Sequence, residues 1–131
     1  MPHLTVDYSA NMEGRVDMAA FCDALRRAAI DTGVLPMPGI RVRAFRADHV
    51  SIADGATEHG YIDISVRLRA GRDLAARKAA TQSLFETAKT FLAPVFDQHS
   101  VALSFEMRDI DPDLSPKYGT IRDHLASGNV A

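Results

Sequence analysis

The stretch Tyr61-Ile62-Asp63-Ile64-Ser65-Val66-Arg67-Leu68 decides the fold. Ile62, Ile64, Val66 and Leu68 fall on one side of an extended chain, and Tyr61, Asp63, Ser65 and Arg67 on the other. This period of two is that of a strand with one buried face. Gly71 ends the strand, and Asp73 stands where a helix is capped. Leu74, Thr81, Leu84, Phe85, Ala88, Phe91, Leu92 and Val95 then recur at helical spacing, with Pro94 expected to disturb the last turn. Val101, Leu103 and Phe105 alternate with Ala102, Ser104 and Glu106 as the next strand. A right-handed crossover through the helix makes the two strands parallel.

The N-terminal half follows the same plan. Leu4, Val6 and Tyr8 alternate with His3, Thr5 and Asp7 in a strand, and Asn11–Gly14 reads as a turn. Asp17 caps a helix whose apolar stripe is Met18, Phe21, Cys22, Leu25, Ala28 and Ala29, and Gly33 sits at its C-terminal end. Pro36 and Pro38 enforce a non-helical connection. Ile40–Ala47 is a strand, with Ile40, Val42 and Ala44 on one face and Arg41, Arg43 and Phe45 on the other. Val50–Ala53 is expected to continue it irregularly before an Asp54-Gly55 turn.

Gly14-Arg15 precedes Asp17 much as Gly71-Arg72 precedes Asp73, a weak internal repeat of about 55 to 60 residues. The expected class is α/β (α+β): two βαβ units forming a four-stranded sheet with both helices on one face. One domain spans 1–131, with halves of about 1–55 and 56–131. Apolar residues remain for the second face, which oligomerisation would bury. The tail from Asp111 is polar, contains Pro112 and Pro116, and ends in a short helix at Ile121–Leu125.

Composition excludes several classes. The 131 residues are 47% hydrophobic, enough for a core and against disorder. Fifteen basic against seventeen acidic residues leave a net charge of −2, which argues against nucleic-acid binding. No apolar run reaches the length of a membrane span, and the N-terminus lacks the basic and apolar regions of a signal peptide. One cysteine, Cys22, permits no internal disulfide, and a cytoplasmic protein is expected.

Few residues stand out as chemical candidates. His3, His49, His59, His99 and His124 are scattered and show no metal-ligand spacing. Cys22 reads as a small buried hydrophobe, and Asp7, Asp63 and Glu106 as carboxylates on a solvated face. No glycine-rich phosphate loop is present. Pro2 admits two readings. It starts the first strand at no cost in ladder bonds. Alternatively, methionine before a small residue is usually removed, which would leave Pro2 with a free secondary amine. Burial or neighbouring cations would lower the pKa of that amine, making it a base near neutral pH. Arg41 opens a strand and Arg72 follows one, where bidentate guanidinium groups suit carboxylates. Arg41, Arg43, Arg46, Arg67, Arg69 and Arg72 cluster along two strand segments, as a binding surface or a solvated basic face.

Taken in order, these residues resemble the 5-carboxymethyl-2-hydroxymuconate isomerase family, a branch of the tautomerase superfamily. The landmarks are Pro2-His3, Gly33 with Pro36, Gly39-Ile40-Arg41, Ala53-Asp54-Gly55, Gly71-Arg72, Leu84-Phe85-Glu86, Leu103-Ser104-Phe105-Glu106 and the Pro112…Leu114 tail. The resemblance implies a tautomerase-like homotrimer with sheets packed inward and a site near the subunit interface. It implies Pro2 as catalytic base, Arg41 and Arg72 as binders of the carboxylates of a small carboxylated dienol, and no cofactor or metal. The reaction implied is ketonisation of that dienol in homoprotocatechuate breakdown. Two other readings stay open: a catalytically silent oligomeric binding protein of the same fold, and an enzyme of this fold acting on another unsaturated acid.

Overall fold

A computed structural model describes residues 1–125. In chain order the elements are β1 (His3–Ser9), α1 (Met18–Asp31), β2 (Arg41–Ala47), β3 (Gly60–Arg69), α2 (Leu74–Gln98) and β4 (Val101–Ile110). Short 3-10 turns lie at Ala10–Met12, Met37–Gly39 and Ile121–His124. The strands form one sheet in the order β2-β1-β3-β4. β1 runs parallel to β2 and β3 parallel to β4, while the central pair β1–β3 is antiparallel. Each half is therefore a βαβ unit, as the repeat predicts.

Local chemistry sets the element ends. Asp17 Oδ1 accepts from the Ala20 amide at 3.0 Å, and Asp73 Oδ1 from the Ala76 amide at 2.8 Å. Both carboxylates satisfy a first-turn N–H that lacks a helical partner. Gly33, at φ +74°, turns the chain out of α1 in a conformation that favours glycine.

The core lies between one sheet face and both helices. Leu4 and Val6 of β1 and Ile62, Ile64 and Val66 of β3 are fully buried with Phe21 and Leu25 of α1 and Leu84 and Leu92 of α2. Each such side chain contributes about 1.5–3 kcal/mol on full burial. The Phe21 and Phe91 rings, 5.2 Å apart, join the helices. No helix among the described residues is long and apolar enough to cross a membrane.

Four expectations need correction. Pro94 does not end or visibly disturb α2, which continues to Gln98. Thr90 and Pro94 both lie on the exposed side, so the carbonyl that proline deprives of a partner faces water. Val50–Ala53 is loop, because β1 ends at Ser9, opposite Ala47, and offers no further ladder. β4 runs beyond Glu106 to Ile110, because β3 pairs with it as far as Arg69↔Ile110. Finally, the uncovered sheet face is polar, not apolar. Its successive rows are His3, Arg41, Arg67 and Arg108; Thr5, Arg43, Ser65 and Glu106; and Asp7, Phe45, Asp63 and Ser104. The apolar residues of β2 and β4 pair with the core-facing positions of β1 and β3 and pack on the helix side.

Candidate active site

The antiparallel central pair brings the beginning of β1 beside the end of β3. His3 therefore pairs with Arg67, and Met1 and His3 line one cleft with Arg67 and Arg69, while the parallel ladder sets Arg41 next to His3. Pro2 is fully buried. Its carbonyl accepts from the Arg41 amide at 3.3 Å. A Cβ on Gly39 would lie 3.2 Å from Pro2 Cδ, so the absence of a side chain at residue 39 lets the 3-10 turn pack close against the proline ring.

Two neighbouring clefts open here. One, of about 440 Å³, is lined by Met1, His3, Arg41, Arg67, Arg69, Ile110 and residues 115–118. The other, of about 410 Å³, is lined by Met1, Pro2, Pro36, Pro38, Gly39, Arg41, residues 117–119, Ile121 and Arg122. Met1, Arg41, Lys117 and Tyr118 border both, and among the described residues neither cleft is lined by an Asp or Glu. A chain of net negative charge thus carries a local cationic cleft at its N-terminus.

That field acts on the groups within it. Burial holds the Met1 terminal amine below its usual value of 8.0, and the charges of Lys117, Arg72, Arg69 and Arg41 push it in the same direction. Burial likewise lowers the pKa of His3, assisted by Arg67, Arg43 and Arg41. His3 Nδ1 lies 3.2 Å from Arg43 Nη1. A guanidinium can only donate, so Nδ1 accepts and the proton of the neutral ring sits on Nε2.

The arginine cluster divides into groups with different surroundings. Arg41, Arg67 and Arg69 line the clefts. Arg72 donates from Nε to the Val34 carbonyl at 2.8 Å and from Nη1 to the Arg69 carbonyl at 3.0 Å. It braces the α1–β2 connection against the end of β3, leaving Nη2 without a protein partner among the described residues. Arg46 lies apart at the far end of β2, paired with Asp48 at 2.8 Å.

The remaining candidates fall elsewhere. Asp7 accepts from the Tyr61 hydroxyl at 2.8 Å, and Asp63 from Ser104 at 2.6 Å, on the open sheet face. Burial and the Asp7 hydrogen bond push the Tyr61 hydroxyl up to about 12. Cys22 is half-buried on α1 and burial raises its thiol, in line with a packing role. His59 bridges Ser100 and Asp54 at 2.7 Å on each side. The sequence pointed to Pro2, Arg41 and Arg72 but missed Lys117 and Tyr118. The one available signal was a lone lysine beside a tyrosine and a proline in an otherwise unpatterned tail.

Comparison with known proteins assigns the chain to a family. The family model for 5-carboxymethyl-2-hydroxymuconate isomerase matches residues 2–125. A 5-carboxymethyl-2-hydroxymuconate Delta-isomerase from Escherichia coli is 31% identical over 121 residues, covering 92% of this chain and 96% of that protein. A crystal structure of 5-carboxymethyl-2-hydroxymuconate delta-isomerase superposes with a TM-score of 0.89 at 30% identity, over 94% of this chain and 91% of that one. A fused 4-OT solved as a symmetric trimer shares the fold at a TM-score of 0.64 and 20% identity, covering 88% of this chain and 93% of that one. The family match spans nearly the whole described chain, including the proline, the arginines and the tail that build the cleft, so this protein belongs to the 5-carboxymethyl-2-hydroxymuconate isomerase family and is an isomerase.

Proposed function

We propose that this isomerase converts 5-carboxymethyl-2-hydroxymuconate, or a closely related 2-hydroxymuconate dienol, to its conjugated ketone, within the breakdown of homoprotocatechuate. Pro2, freed by removal of Met1, is the base. The observation that carries this reading is the fully buried Pro2 beside a cationic cleft lined, among the described residues, by no carboxylate. With Met1 attached, the Pro2 nitrogen is an amide and has no basic lone pair. Removing Met1 also takes away a residue that borders both clefts.

The chemistry asks little more than this site offers. A neutral Pro2 amine takes the proton from the 2-hydroxyl, and the resulting dienolate returns one to C5. The product has C2=O conjugated with C3=C4, and one proton has moved with no gain or loss of electrons. A positioned base is worth about 10²–10⁴-fold in rate. Arg41 and the free Nη2 of Arg72 would hold the substrate carboxylates and offset charge growing on the dienolate.

A homotrimer is part of the proposal. The named symmetric trimer of the same fold supports it, and so does the pattern of the open sheet face. That face is basic at the Arg41–Arg67–Arg108 row and acidic at Asp7 and Asp63, so copies offset along it would set opposite charges together.

Intact mass of untagged protein, followed by an ultraviolet assay of dienol ketonisation, tests the reading. A mass lacking methionine together with turnover supports Pro2 as the base. A retained methionine, or a free Pro2 with no turnover on any 2-hydroxymuconate-type dienol, would point to a ligand-binding protein of the same fold.

A further inference from the structure

After β4 the chain turns back on itself. The Leu114 amide donates to the Asp111 carbonyl at 3.2 Å, the Ser115 hydroxyl to the same carbonyl at 2.6 Å, and the Asp113 amide to Asp111 Oδ1 at 2.9 Å. This turn carries residues 115–119 back across the N-terminal end, where they border both clefts. Lys117 is the one charged residue of that segment, and it has no ion-pair or hydrogen-bond partner among the described residues. Arg41, Arg67 and Arg69, standing on the sheet below, also lack ion-pair partners among them.

We propose that Lys117 is a substrate-binding residue that selects for a third carboxylate, and so makes the site one for tricarboxylates over dicarboxylates. This rests on the dienol reading given above and deepens it. Two carboxylates are assigned above to Arg41 and Arg72. The additional cation comes from a separate part of the chain, the segment 115–119. It is also a lysine, whose flexible stem and compact charge suit a carboxymethyl branch better than a planar fork would. Of the charged groups that depress the terminal amine, Lys117 acts most strongly, so a substrate group held by it stays close to the reacting end of the chain.

The test compares the mature wild type with Lys117→Met and Lys117→Arg on 5-carboxymethyl-2-hydroxymuconate and on 2-hydroxymuconate, which lacks the branch. Loss of one charge-assisted contact should lower kcat/KM of Lys117→Met on the tricarboxylate about 10- to 100-fold, chiefly through KM. On the dicarboxylate the fall should stay within about threefold, and Lys117→Arg, which keeps the charge but not the compact head, should recover only part of the loss. Equal losses on both substrates, or none on either, would overturn the assignment. A parallel calorimetric titration with tricarballylate and glutarate separates this inference from the reaction itself. If wild type turns over neither dienol, the proposed reaction fails. Weaker tricarballylate binding by Lys117→Met with glutarate binding unchanged would still uphold the third-carboxylate subsite, and unchanged binding of both would sink it.

Discussion

The backbone amide of Arg41 donates to the carbonyl of Pro2 at 3.3 Å, at the first rung of the parallel β1–β2 ladder. One strand start carries the proposed base and its neighbour a proposed carboxylate binder. Their separation is set by sheet geometry and not by a loop. The base therefore costs nothing to reposition when substrate enters, which is the condition for a large effective concentration.

Blocking the Pro2 nitrogen should abolish turnover without touching the fold. A form that keeps Met1, or carries any N-terminal extension, should lose about 10²–10⁴-fold in kcat. Pro2→Ala keeps an amine but loses the ring packed against Gly39, and should fall between that form and wild type. Steady-state assay with circular dichroism as a fold control checks both.

The pH dependence follows from the field that depresses the Met1 amine, which the Pro2 amine would enter once Met1 is removed. The base works only unprotonated, so kcat/KM should rise with pH through the pKa of that amine, held low by the same cations, and then level off. Arg69→Ala removes one of the cations that lower this value, so its acid limb should move to higher pH. Raising the salt should move the wild-type limb in the same direction, because screening weakens the same field. An acid limb that moves in neither case would exclude the arginine field as its cause.

Arg41 and Arg72 should separate by stability. Arg72→Ala strips the Val34 and Arg69 carbonyls of their donors and should destabilise by about 1–3 kcal/mol, along with loss of activity. Arg41→Ala leaves the backbone ladder intact and should lose substrate affinity with unfolding changed by less than about 0.5 kcal/mol. Chemical denaturation paired with KM measurement distinguishes the two.

Gly39→Ala should act on the base itself. The new Cβ would sit 3.2 Å from Pro2 Cδ and 3.5 Å from Met1 Cα, with Pro2 fully buried and unable to move outward freely. Overpacking of this kind costs about 1–3 kcal/mol. A small displacement of the amine should lower kcat by more than that cost implies for folding. Activity equal to wild type would mean that the 3-10 turn yields instead.

Alternation in Tyr61–Leu68, the two capping aspartates and the Gly33 and Gly71 breaks were enough to order the elements and define the two βαβ units, because these are short-range properties of the chain. Pro2, Arg41 and Arg72 stand at strand ends that the pattern locates, but the roles proposed for them come from the family resemblance and not from position. What sequence could not decide was anything that depends on which strands lie side by side. The antiparallel β1–β3 pair brings Arg67 and Arg69 to the amine, and no local pattern encodes that pairing. The polar character of the open face emerges only once register sorts side chains to one side or the other. Arg72 proves to brace two carbonyls because its partners lie 38 and 3 residues away in sequence but adjacent in space. Lys117 belongs to a segment with no periodicity at all, and only the fold brings it over the cleft. Local propensity and hydrophobic period fix the elements, whereas the site is assembled from their ends by long-range packing.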